Sequence, residues 1–297
     1  MSHYEIVCKH SDLDEETINK ILLYEIDMND RIIEIDNYII KNIPIDKITD
    51  KLNTEILLIQ KYLSGDFVQP HFLNYHLILS VIEKKLKKSN SFDYITKLTE
   101  YKNKISPNLI NKDIKKTNKI YDYIVVMPKY QKLSLYLSDT ILNDNIILTN
   151  IIGILDLSIL IRDKYSLIHC DVKVCNIVVN NNIFYLIDWE DAFNIDDVYY
   201  QCSRPKYGNT EMYPHYDSTS EQFFIYSIGV LIIRIIGYNF DVTYKDFMKD
   251  ITFNYILSKI PIEYSRIYEH VLLDIYNKKY NKIEELRSSI KEILDNI

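Results

Sequence analysis

The sequence predicts an α+β protein: a small mixed N-terminal region built on an antiparallel sheet, then a larger, mainly helical C-terminal region. Three observations predict it. Ile-rich runs crowd residues 20–41 (KILLYEID, then RIIEIDNYIIK) around the turn candidate Met28-Asn29-Asp30, the pattern of a hairpin. Over residues 45–63 the apolar period changes, with Ile48, Leu52, Ile56 and Ile59 recurring at three or four residues, as in an amphipathic helix. Helical patterns then dominate the second half, and strands first with helices later imply two segregated regions.

Composition bounds the class. At 297 residues, 47% hydrophobic and 26% charged, the chain can bury a sizeable core and has the balance of an ordinary soluble globular protein. A net charge of −7 argues against a nucleic-acid binder. Five glycines are far below the usual roughly 7%, and abundant Ile, Asn, Lys and Tyr point to the codon bias of an AT-rich genome. Cys8, Cys170, Cys175 and Cys202 form no CxxC pair, and the start of the chain carries no apolar run of signal-peptide type. A reducing intracellular setting with free thiols, most simply the cytoplasm, is the expectation. Residues 223–238 are the most apolar stretch, but Arg234 interrupts them and they fall short of about 20 residues, so a buried helix is expected rather than a membrane span.

The remaining elements follow in order. Residues 76–82 suit a strand, Lys84, Lys85, Lys87 and Lys88 form a basic cluster, and residues 94–104 suit a helix broken by Ser106-Pro107-Asn108. Residues 121–127 (YDYIVVM) form a buried-strand pattern that Pro128 closes. Helices are expected over 133–137 and 146–165, a strand over 183–187, an irregular stretch to about 220, and helices to the C-terminus.

Residues 167–190 (LIHCDVKVCNIVVNNNIFYLIDWE) carry the chemistry. His169, Asp171, Lys173 and Asn176 stand at fixed offsets, and Asp188 follows Asn176 by twelve positions. Phosphoryl transfer from ATP needs such a set: a carboxylate for the proton of the attacking hydroxyl, a cation near the transferring phosphate, and an amide oxygen and a second carboxylate for Mg²⁺. A solvated polar turn is the bland alternative, and the register of all these groups disfavours it. Cys170 and Cys175 lack partners at metal-ligand spacing.

This stretch resembles the protein-kinase-like superfamily. His169-Cys170-Asp171-Val172-Lys173-Val174-Cys175-Asn176 is similar to the catalytic loop H-R-D-L-K-x-x-N, and Asp188-Trp189-Glu190 stands where kinases carry Asp-Phe-Gly. The hinge-like VVMPKYQKLSLYL and Ser227-Ile228-Gly229 add to the likeness, which covers most of the chain. It implies a bilobal fold with an N-lobe over 1–127, carrying an atypical insertion around 66–105, and a C-lobe over 128–297. It implies ATP and Mg²⁺ in the cleft between lobes, near Met127 and Lys129. Asp171 would be the catalytic base, Lys173 would neutralise charge at the γ-phosphate, and Asn176 and Asp188 would be the metal ligands. His169 would pack the loop. Tyr38-Ile39-Ile40-Lys41 looks like the strand lysine motif, with Glu55 as its ion-pair partner. The alternative register pairs Lys84 or Lys85 with Glu100.

Several positions depart from the family pattern. No glycine precedes Gly65, so the Gly-rich phosphate loop is missing and phosphate binding would lean on Mg²⁺ and lysine. Glu190 replaces the glycine after the metal-binding Asp, Cys170 replaces the loop Arg, and Phe224 stands about where kinases carry a bracing Asp. Residues 187–192 (IDWEDA) are also similar to aminoglycoside phosphotransferases and choline kinases, which share the fold. Lys173 separates the two, because Ser/Thr protein kinases carry it. The expectation is therefore a divergent Ser/Thr protein kinase acting on a protein hydroxyl, with a small-molecule phosphotransferase or a pseudokinase binding module as alternatives.

Overall fold

The computed structural model describes residues 13, 16–17, 32–44, 50–80, 122–195, 219–239 and 261–297. Among the described residues the protein is mixed α+β, with three small antiparallel sheets and six α-helices. The chain divides into two compact units, Met1–Val68 with Asn74–Lys129, and Gln69–Leu73 with Tyr130–Ile297.

In the first unit, β1 (Ile32–Ile35) and β2 (Tyr38–Pro44) form a hairpin that sets Ile35 opposite Tyr38. The run over 31–41, expected as one strand, is two. Asp36 turns the chain at φ 50, a left-handed backbone that Asp tolerates better than most residues. The other edge of β2 pairs with β4 (Asp122–Pro128), which pairs in turn with β3 (His76–Ser80), giving the order β1-β2-β4-β3. Pro128 occupies the last position of β4, where a missing N–H is tolerated.

Helix α1 (Asp50–Leu63) buries Ile56, Leu58 and Ile59 and packs beside β3. It stops in a Schellman motif. Gly65 sits at φ 80 with its N–H on Tyr62 O, and the Asp66 N–H reaches Lys61 O, both at 3.0 Å.

The stretch 66–105 is not simply an insertion. Gln69–Leu73 belongs to the second unit, and His76–Ser80 is an integral strand of the first unit's sheet. The expected strand at 20–27, the turn at 28–30, residues 45–49 with Ile48, the basic cluster, the 94–104 helix and its break, the Lys84/Lys85–Glu100 pairing and the stretch 196–218 lie outside the described residues.

The second unit is organised around two long helices, α3 (Asp144–Tyr165) and α4 (Ser220–Asn239). Helix α3 starts where the Asn143 side chain accepts the Ile146 N–H at 2.9 Å, and ends at Ser166, φ 55, whose N–H bonds Arg162 O. By length and composition both helices could cross a membrane. However, 56% and 78% of their most apolar windows are buried within the fold.

Around them lie α2 (Leu133–Asp139), α5 (Ile262–Tyr276) and α6 (Ile283–Asn296). One sheet has the order β5 (Gln131–Lys132), β7 (Ile177–Asn180), β8 (Ile183–Leu186), and a second pairs β6 (Leu167–His169) with β9 (Ala192–Asn194). The sequence reading contains no β5, β6, β7 or β9. Strands of two to four residues are too short to show a period. Phe72 adds a parallel bridge to Leu186 at the free edge of β8, so a five-residue stretch from far upstream extends this sheet.

Candidate functional site

The hairpin β7–β8 explains the spacing of the motif. Its turn is Asn181-Asn182, with φ 50 and 62, and its register sets Ile177 opposite Leu186. Two successive left-handed residues make the turn that suits right-twisted strands, and Asn takes it readily. One step beyond that register, the Ile187 N–H bonds Asn176 O at 3.0 Å. Asn176 and Asp188, twelve positions apart in sequence, therefore leave the same end of one hairpin. Ile177, Phe184 and Leu186 are fully buried and anchor it, each contributing about 1.5–3 kcal/mol.

The loop before β7 closes on Asp171. Its Oδ2 accepts from Lys173 Nζ at 2.5 Å and from Asn176 Nδ2 at 2.9 Å, and the same Nδ2 donates to the Asp171 carbonyl at 2.9 Å. Both partners of the Asn176 amide are acceptors, so its NH₂ faces Asp171 and its oxygen faces away. Neither Asp171 Oδ1 nor Asn176 Oδ1 accepts a hydrogen bond among the described residues. Burial works against the Lys173 ammonium. The hydrogen bond and charge of Asp171, with Cys175 and Asp188 farther out, outweigh it and hold the Lys173 pKa above its ordinary value. Lys173 is thus cationic at neutral pH, and with 43% of its side chain exposed it can turn toward a ligand.

His169 joins the loop to the segment after β8. Its Nδ1 accepts the Asp171 N–H at 3.1 Å, which leaves the proton on Nε2 to donate to Ile187 O, also at 3.1 Å. Trp189, fully buried, stands edge-on to His169 with centroids 4.7 Å apart and donates Nε1–H to Leu186 O. Between Ile187 and Trp189, Asp188 is held at φ 67, ψ 58, the kind of backbone strain that surrounding structure must impose.

The donor set fits a hard divalent cation. An amide oxygen that accepts no hydrogen bond among the described residues and a carboxylate at one end of a hairpin are Mg²⁺-type ligands, which leave the other positions to water or phosphate. Cys175 nearby, though its side chain is exposed, does not suit a softer metal, since partial desolvation by its neighbours pushes the thiol pKa up and disfavours the thiolate.

In the first unit, Lys41 and Glu55 are both buried, and Lys41 Nζ lies 2.9 Å from Glu55 Oε2. Met127, opposite Ile39, and the residues after it run past β3, whose ladder ends at Val126. Lys129 gives its N–H to Asn37 O at 2.7 Å and its ammonium to Glu34 at the exposed surface. Lys129 thus spends both its N–H and its ammonium within this unit, and Pro128 has no N–H to offer a ligand.

Three contributors escaped the sequence reading. Asn150, an amide in the apolar run IILTNIIGIL, reaches the hairpin turn. Gly153 leaves room for His71, whose Nε2 would lie 1.8 Å from a Cβ there. His71 in turn holds β8, with Nδ1 at 2.7 Å from Phe184 O and its own carbonyl accepting the Leu186 N–H at 2.9 Å. A polar residue and a glycine inside an apolar helix were the available signals. No family model and no curated protein matches the chain.

Proposed function

We propose that the protein is a divergent Ser/Thr protein kinase of bilobal kinase-like fold, transferring the γ-phosphoryl group of ATP to a protein hydroxyl with Mg²⁺. One observation carries this: Asp171 spends one carboxylate oxygen on Lys173 and Asn176, and the other accepts no hydrogen bond among the described residues. That second oxygen, Oδ1, accepts the proton of the attacking hydroxyl. The hydroxyl oxygen then bonds to the γ-phosphorus, the bond to the bridging oxygen breaks, and ADP leaves with that electron pair. Lys173, kept cationic by Asp171, offsets negative charge on the moving phosphoryl group.

Asn176 Oδ1 and Asp188 would hold Mg²⁺, which supplies charge neutralisation on the phosphate oxygens when bound. Lys41, oriented by Glu55, is assigned to the nucleotide phosphates, and the stretch through Met127 and Lys129 to the side of the base. Free Cys170 and Cys175 accord with an intracellular setting, the net charge of −7 with a protein rather than nucleic-acid partner, and the buried windows of α3 and α4 with core helices.

A small-molecule acceptor is favoured by one feature, the Asp188-Trp189-Glu190 segment with its buried Trp189. Transfer of labelled γ-phosphate to Ser/Thr protein acceptors, wild type against Asp171→Asn, separates the possibilities. Protein labelling that falls about 10²–10⁴-fold in the variant is the expected result. Near-normal turnover in the variant would remove Asp171 from its role. ATP binding without protein labelling would redirect the search to small acceptors, and no ATP binding would leave a binding module.

A further inference from the structure

We propose that Asn150 is a positioning residue for the phosphotransfer site, an inference that rests on the phosphotransfer function above. It grips the far turn of the β7–β8 hairpin and thereby fixes how Asn176 and Asp188 are presented at the other end. Asn150 lies on the buried face of α3, 4% exposed, and its amide is fully used. Nδ2 donates to Asn182 O and to Ile146 O, and Oδ1 accepts the Phe184 N–H, all at 2.8 Å. Two of these three partners belong to the turn or the first turn of chain after it.

That grip has a mechanical reason. The turn Asn181-Asn182 holds two consecutive left-handed residues and contains no glycine. Non-glycine residues occupy that conformation less readily, so the turn needs support from outside. Helix α3 supplies it through Asn150, at a distance of roughly 13 Å along the four-residue ladder from Asn176. A slip of one residue in that ladder would turn every side chain to the opposite face and separate Asn176 from Ile187. His71 holds the outer edge of β8 at Phe184 and Leu186, so the strand is fixed along its length and Asn150 fixes where it begins.

The test uses the full chain and two readouts other than turnover. Calorimetry follows binding of a non-hydrolysable ATP analogue against Mg²⁺ concentration, and amide exchange is read at Phe184 and Ile187. Asn150→Ala is expected to raise the Mg²⁺ concentration for half-saturation about tenfold, the scale of a lost outer-shell support, and to speed exchange at both amides. Asn182→Gly in the same chain, which gives the turn a residue free to be left-handed, is expected to restore the Mg²⁺ dependence and slow exchange at Ile187, while Phe184, its acceptor gone, keeps exchanging fast.

Unchanged Mg²⁺ dependence in folded Asn150→Ala, or failure of Asn182→Gly to restore it, overturns the proposal. If Asn150→Ala does not fold, Asn150→Ser takes its place. Its hydroxyl can bond Ile146 O as Ser158 bonds Ile154 O, yet cannot reach the turn, and wild-type Mg²⁺ dependence there is equally fatal. Absence of Mg²⁺-dependent nucleotide binding in the wild type would instead remove the phosphotransfer function itself, and the proposal with it.

Discussion

Two charged clusters of the second unit look alike in composition and differ in what they leave unused. Around Arg162, Nε and Nη2 donate to Asp163, Nη1 to Glu221, and Nη1 and Nη2 to Glu284, so every guanidinium nitrogen is engaged. Glu221 also accepts the Ile283 N–H at 2.9 Å. The cluster ties α3, α4 and α6 together, and its cation has no nitrogen left without a partner. Around Asp171 the same kinds of groups meet, but Asp171 Oδ1 and Asn176 Oδ1 stay unengaged among the described residues. A charged cluster whose cation is spent on three carboxylates holds a fold, whereas one whose lysine is half exposed beside an unengaged amide oxygen is ready to hold something else.

The contrast breaks if mutations in the two clusters act alike. The largest effect belongs to Asp188→Ala, which should abolish Mg²⁺-dependent nucleotide binding and leave the melting temperature near that of the wild type. Calorimetry showing unaltered binding would put the cation elsewhere. Arg162→Ala should do the reverse. Leaving Glu221 and Glu284 without their cation should cost about 3–5 kcal/mol in urea unfolding, while nucleotide binding by the folded fraction persists.

The smallest effect is a pH dependence. The Arg162 hydrogen bond holds Glu284 down to about 2 from 4.5. A carboxylate with a depressed folded pKa stabilises above its unfolded value, and that contribution disappears as pH falls from about 4.5 through about 2. The stability difference between wild type and Glu284→Gln should therefore be constant above about pH 5 and shrink toward pH 2 in acid unfolding. A difference that stays constant down to pH 2 would detach Glu284 from Arg162.

Much of the site was legible because it is local. Asp171, Lys173 and Asn176 span six residues, and the distance to Asp188 is that of one short hairpin. Lys41 and Glu55 were legible only through the likeness of Tyr38-Ile39-Ile40-Lys41 to the kinase strand lysine, and they meet at 2.9 Å. What stayed hidden depends on partners far away in sequence. Nothing within residues 69–73 announces that they pair with Leu186, and the two-residue strand β5 exists only because β7 is beside it. The hairpin at Asp36 was missed for a local reason, because Asp-Asn without glycine carries a weaker turn signal between Ile-rich runs. Helix α1 ends at Leu63, where the sequence placed it, and α3 starts two residues earlier than expected because Asn143 caps it.

The placement of Gln69–Leu73 bears on how this gene may be cut. A truncation that begins at Tyr130 keeps every helix of the second unit together with Asp171, Lys173, Asn176 and Asp188, and on paper it isolates that unit. It would nonetheless strip away the backbone bonded to Leu186, the imidazole lodged against Gly153 and the ring of Phe72, whose centroid lies 5.8 Å from that of Trp189. The fragment would carry a raw sheet edge and an uncovered tryptophan, both invitations to aggregate. The shortest piece of chain that keeps this unit whole starts at Gln69, and so brings a large part of the other unit with it.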